Sequence, residues 1–218
     1  MSIWRSIVDG ANDFAERHRQ ANFTMAIIGL AAKMAKSDGA VSREEVRAFR
    51  DIFHVPADEE QHVMRLFDQA RRDVAGFEYY ASKAARLFHD EPAVLEHLLD
   101  GLFHVAKSDR VADPREVDFL RKVATIFGFD AATFERIRAG HLGPDDADPH
   151  VLLGVAHDAS DETVRTAWRR LVREHHPDLL VAQGMPDELV VLANARLAAI
   201  NAAYEGIRGA KRAKTAAK

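Results

Sequence analysis

Apolar residues recur at spacings of three and four through the first two-thirds of the chain, the signature of amphipathic helices. The pattern predicts helices over about residues 2–18, 22–37, 42–54, 58–73, 77–89, 91–108, 113–127 and 130–139. The breaks have local causes. Asp38-Gly39 ends one helix and Pro56 another, since proline removes a donor and clashes with the preceding turn. Ser42 with Glu45, and Asp113 with Glu116, have the spacing of a capping box. Pro114 then falls at a first helical position, where its missing N–H does no harm. β-branched residues nowhere alternate with polar ones over a useful length, so no strand is expected. The spacing predicts an all-α chain.

Two segments repeat. Ala35-Lys36-Ser37-Asp38 recurs as Ala106-Lys107-Ser108-Asp109, and the same offset carries Glu45 onto Glu116, Val46 onto Val117 and Phe49 onto Leu120. Each copy reads as a helix, an Asp-headed turn and a capped second helix. Two related halves in one helical bundle are expected. Gly140, Gly143 and Pro144, followed by aspartates, mark a boundary. The expected organisation is an N-terminal amphipathic helix (1–20), a helical domain (21–140), a linker (141–147), a second unit (148–209) and a frayed basic tail (210–218).

In the second unit, Ser160 begins a helix whose apolar face is Val164, Ala167 or Trp168, Leu171 and His175. Its other face carries Arg165, Arg169 and Arg173 one turn apart, with Arg170 beside them. Pro177 ends that helix near His176, because the residue before proline is driven from helical geometry. A loop through Gly184 and Pro186 follows. A helix from about Asp187 then presents Leu189, Ala193, Leu197, Ile200, Tyr204 and Ile207 on one face. The expectation is an independent antiparallel hairpin with His176-Pro177-Asp178 exposed at one end, and with Trp168, Tyr204 and His175 inside it.

Composition narrows the chemistry. The chain has 218 residues and no cysteine, which removes disulfides, thiol catalysis and thiolate metal sites. Its formal net charge of -4 argues against a general nucleic-acid binder. Charged residues interrupt the first twenty positions, so no signal peptide is expected. The longest apolar run, Met25 to Ala32, is far short of the ~20 residues that span a bilayer. Ile3, Trp4, Ile7, Val8, Ala11 and Phe14 share one helical face, which suits packing on the chain's own domain, lying on a membrane surface or pairing two subunits. Phosphate-loop, nucleophile-elbow and His-Glu-x-x-His patterns are absent, as is any nucleophile paired with a base, so an enzyme is not expected.

The segments DPHVLLGV, SDETVRTAWRRLVREHHPD and ARLAAINAAYEGI together resemble a J domain. The endings "EHHPD" and "LVA-x-G-x-P" resemble the J domain of DjlA-type co-chaperones, and the repeat domain resembles the TerB-like helical domain that precedes it in that family. The resemblance implies a TerB-like bundle followed by a J-domain hairpin, and a DnaK-type chaperone ATPase as partner. It implies partner-binding roles for His176, Pro177 and Asp178 at the tip, and for Arg165, Arg169, Arg170 and Arg173 against an acidic surface. The TerB-like domain would serve as an interaction or targeting module for an unknown client. Trp168, Glu174 and Leu179 depart from the usual Tyr and basic residues, which weakens the basic field. The family's N-terminal membrane segment has no counterpart, so a cytoplasmic protein without a transmembrane anchor is expected. No cofactor is expected either. An alternative is a metal- or stress-linked protein of the tellurite-resistance type. Its divalent-metal candidates would be Asp38, Glu45, Asp109 and Glu116, although helix capping is the simpler use of these acids.

Overall fold

The computed structural model describes residues 25–34, 47, 49, 55, 60–72, 76–107, 113–141, 147–182 and 187–216. Every regular element among them is a helix. The first unit contains α1 (residues 25–34), α2 (Glu60–Arg72), α3 (Phe77–Leu87), α4 (Pro92–Ala106), α5 (Pro114–Ile126) and α6 (Ala131–Ala139). Where both ends are described, in α3 to α6, they agree with the periodicity to within a few residues. The 1–20 helix, the Ser42/Glu45 box and the turns of the repeat at 35–38 and 108–109 lie outside the described residues.

The helix boundaries follow their caps. Asp113 Oδ1 accepts the Arg115 amide at 2.7 Å while the Asp113 amide donates to Glu116 Oε2 at 2.8 Å, completing the reciprocal box ahead of α5. Asp130 accepts from the Thr133 amide at 2.8 Å and starts α6. Such caps satisfy amides that a helix start leaves orphaned, each stabilising by ~1 kcal/mol. α4 is the axis of the bundle. It is buried on every side from Val94 to Phe103, so its apolar residues Leu95, Leu98, Leu99, Leu102 and Phe103 meet neighbours all round.

The second unit contains α7 (Pro149–Leu153), α8 (Asp161–Glu174), α9 (Pro177–Ala182) and α10 (Asp187–Ala216). Gly154 closes α7 with φ 66°, a left-handed cap that disfavours any residue with a Cβ. Leu152, Leu153, Val164, Leu171, Ile200 and Ile207 form the hairpin's own core.

Four features differ from the sequence reading. α9 is helical where a loop is expected after Pro177, because proline's fixed φ suits a first helical position even as it ends the preceding helix. α10 runs on to Ala216 through residues expected to fray, held by Lys211 Nζ, which donates to the Ala159 carbonyl at 2.8 Å and to Asp161 Oδ1 at 2.7 Å. The hairpin is not independent: Leu180, Leu192 and Ala193 are buried in the core of the first unit, and Ala139 of α6 enters the core of the second. His175 consequently packs between the units and not within the hairpin.

Candidate functional site: the exposed turn and its buried root

Ser160 caps α8 by accepting the Thr163 amide at 3.1 Å. Val164 and Leu171 turn inward from α8. Trp168 is half-buried, stacked on Tyr204 at 4.5 Å with its Nε1 donating to Asn201 Oδ1 at 2.8 Å, which ties α8 to α10. The opposite face carries Arg165, Arg169, Arg170 and Arg173, all exposed. Arg170 pairs with Glu174 at 3.1 Å, and Arg165 lies 3.9 Å from Glu162. Arg169 and Arg173 have no ionic partner among the described residues.

At the end of α8 the His175 amide still donates to the Leu171 carbonyl at 2.9 Å, and the chain then turns. The Asp178 amide donates to His176 Nδ1 at 3.2 Å, and the Leu179 amide to the His176 carbonyl at 3.0 Å. These bonds with the proline ring make a short, stiff turn. The Asp178 side chain is 87% exposed and that of His176 44%. Arg169, Arg173, His176 and Asp178 border one groove of about 380 Å³ with Trp168 and Leu179. The structure thus brings four of the seven sequence-predicted residues, Arg169, Arg173, His176 and Asp178, to one groove, while Arg165, Arg170 and Pro177 do not line it.

Beneath that surface lies a charged cluster the sequence reading does not find. Glu96 of α4 meets Arg136 at 2.6 Å, Arg196 at 3.5 Å and His175 Nε2 at 3.3 Å. Asp100, one turn on, meets Arg196 at 3.1 Å and His141 at 2.7 Å, with His97 3.9 Å away. All seven residues are buried. Gly140 admits the Arg196 guanidinium, since a Cβ there would fall 3.2 Å from Nη1. Burial favours the neutral form of Asp100, but Arg196 and the His141 hydrogen bond outweigh it and hold the carboxyl well below its usual range. Burial pushes His97 down to about 4 and, with Arg196 beside it, His175 down to about 2. His141 is lowered too, by burial partly opposed by its bond to Asp100. With neutral imidazoles, two carboxylates face two guanidiniums and the cluster balances. Its signal in the sequence is two acids one turn apart in a largely apolar helix, and an arginine between Ala193 and Ile200 on a core-facing stripe.

Of the metal candidates, Asp38, Glu45 and Asp109 lie outside the described residues, and Glu116 is buried and engaged in the α5 capping box. Among the described residues Asp148, His150 and His157 bring potential ligand atoms within 4.8 Å of one another. Ordinary hydrogen bonds account for that arrangement: Asp148 Oδ1 accepts the His150 amide at 2.8 Å and Oδ2 lies 2.7 Å from His157 Nε2. Among the described residues no helix is long and apolar enough to cross a membrane.

Comparison with known proteins agrees with these two units. Residues 24–139 match the family described as Tellurite resistance protein TerB, and residues 148–214 match the DnaJ domain. The chain is 26% identical to the Co-chaperone protein DjlA of Photobacterium profundum over 228 residues, 93% of this chain and 82% of that protein. It is 26% identical to the DjlA of Aliivibrio fischeri, over 90% of this chain and 81% of that one. To the DjlA of Coxiella burnetii it is 28% identical, over 86% and 76%. No solved structure matches the chain.

Proposed function

Because the chain belongs to the TerB family and carries a DnaJ domain behind its TerB domain, we propose that it is a co-chaperone whose J domain stimulates ATP hydrolysis by a DnaK-type chaperone. The observation that carries this reading is the exposed His176-Pro177-Asp178 turn at the foot of a helix with four exposed arginines. The similarity to DjlA co-chaperones over most of the chain supports it.

In this reading the arginine face steers the J domain onto an acidic surface of the ATPase, raising the association rate and making binding sensitive to salt. Arg169 and Arg173, free of internal ion pairs among the described residues, carry most of that field. Asp178 offers an exposed carboxylate to an arginine of the partner, a charge-assisted bond of the stronger kind. Pro177 and the two hydrogen bonds of the turn pre-order the tip, so less entropy is lost on docking. The chain makes and breaks no bond itself. It biases the partner between conformations by binding one of them better. The TerB domain would choose the client or location.

The test is the steady-state ATPase rate of the cognate DnaK-type protein with and without the full chain. Stimulation by wild type and its loss in His176→Gln are expected. No stimulation, or equal stimulation by the variant, defeats the proposal.

A further inference from the structure

The two units meet at the root of the exposed turn. His175, the residue before the tripeptide, is 1% exposed and lies against Glu96 and His97 of α4, its ring edge-on to that of His97 at 5.2 Å. Leu180, two residues after the tripeptide, is 2% exposed in the TerB core. The TerB domain thus holds the chain on both sides of His176-Pro177-Asp178 and leaves the tripeptide outside. Arg196 supplies a third hold, anchoring α10 to both carboxylates of α4.

We infer that Glu96 and Asp100 are positioning residues for the His176-Pro177-Asp178 tip: through His175 and Arg196 the TerB domain splints the J domain in its partner-ready form. This rests on the co-chaperone reading and gives the TerB domain a part in the same site. The chemistry explains why acids occupy a largely apolar helix. Apolar contacts such as Leu180 supply cohesion but tolerate sliding. A carboxylate facing a guanidinium in a water-poor setting has few alternative arrangements, because each misplaced group is left buried and unpaired. Glu96 and Asp100, one turn apart on one face of α4, fix α6 through Arg136 and α10 through Arg196, and the neutral His175 ring at the end of α8 packs against Glu96 at 3.3 Å without a hydrogen bond. A tip held in the competent form for a fraction f of the time binds with its dissociation constant raised by 1/f. The splint keeps f near one.

The experiment compares the full wild-type chain with Glu96→Gln and Asp100→Asn by two readouts: amide hydrogen exchange over residues 175–182, and titration of a DnaK-type ATPase. Exchange at the tip is expected to rise about tenfold, while α8 and the C-terminal half of α10 keep their protection. The half-maximal concentration should rise by a comparable factor, with plateau and salt dependence unchanged. Arg196→Lys, which keeps the charge but loses the fork, should give a smaller shift of the same kind and serves should the carboxylate variants fold poorly. Unchanged tip exchange, exchange raised throughout the hairpin alike, or a loosened tip with an unmoved titration curve would each overturn the inference. If wild type stimulates no ATPase, the co-chaperone reading falls, and the exchange measurement alone decides whether α4 splints the tip.

Discussion

Replacing Arg196 with methionine is the sharpest test of how the two units are joined. The side chain is 3% exposed, with its guanidinium 3.1 Å from Asp100 and 3.5 Å from Glu96. Methionine keeps most of the stem's volume, so the loss is chiefly electrostatic. Glu96 retains Arg136, but Asp100 keeps only the hydrogen bond from His141, a neutral donor, and its Oδ2, 3.9 Å from His97, already lacks a hydrogen-bond partner. Removing one partner of a buried ion pair costs about 3–5 kcal/mol, because the other charge stays desolvated. Urea unfolding of the full chain at pH 7, followed by circular dichroism, should show a loss of that size. It should also show one transition, since Leu180, Leu192 and Ala193 tie the second unit into the first core. Adding Asp100→Asn should recover part of the loss, leaving the pair of changes about 1–3 kcal/mol short of additive. The variant's deficit should also shrink in acid, as the stranded carboxyl takes up a proton. A loss below about 1 kcal/mol, or strict additivity with Asp100→Asn, would refute the claim that this ion pair joins the units.

Two further outcomes are expected. His97 and His175 have folded pKa values depressed from 6.5, so their contribution is intact above about 6.5 and is lost as pH falls toward about 4 for His97 and about 2 for His175; thermal melts at pH 7.5 and pH 5 should show a lower midpoint in acid, and His175→Phe should reduce the difference. Gly29→Ala in α1 should destabilise by about 1–3 kcal/mol by the same melts, because its Cβ would run into the Tyr80 ring, which fills the space against that glycine.

The turn and its arginine face were legible because their chemistry is local. A proline fixes where α8 ends, residues three and four apart share a face, and the tripeptide follows at once. The capping box of Asp113 and Glu116 was legible for the same reason: its two hydrogen bonds are set within four residues. The buried cluster was not, because Glu96 and Asp100 meet Arg196 only after α10 folds back across α4. Periodicity gives the face on which Arg196 sits but not what opposes it. The spacing puts His175 on a core-facing stripe but cannot tell the hairpin's own core from the one shared between the units. The sequence does not reveal α9 because Pro177 reads as a stop, whereas it is also a start.

The length of α10 has a consequence of its own. At thirty residues it extends roughly 45 Å, far beyond what the hairpin needs to close its own core. One end is seated among the helices of the first unit at Leu192 and Ala193, and the other is pinned by Lys211 beside the start of α8. A single girder common to both halves defeats clean excision: a fragment cut at residue 148 inherits a beam whose near end has lost its footing. It also couples their histories, for a change of volume beneath Leu192 on the TerB side alters the seating of a helix that the J domain must use.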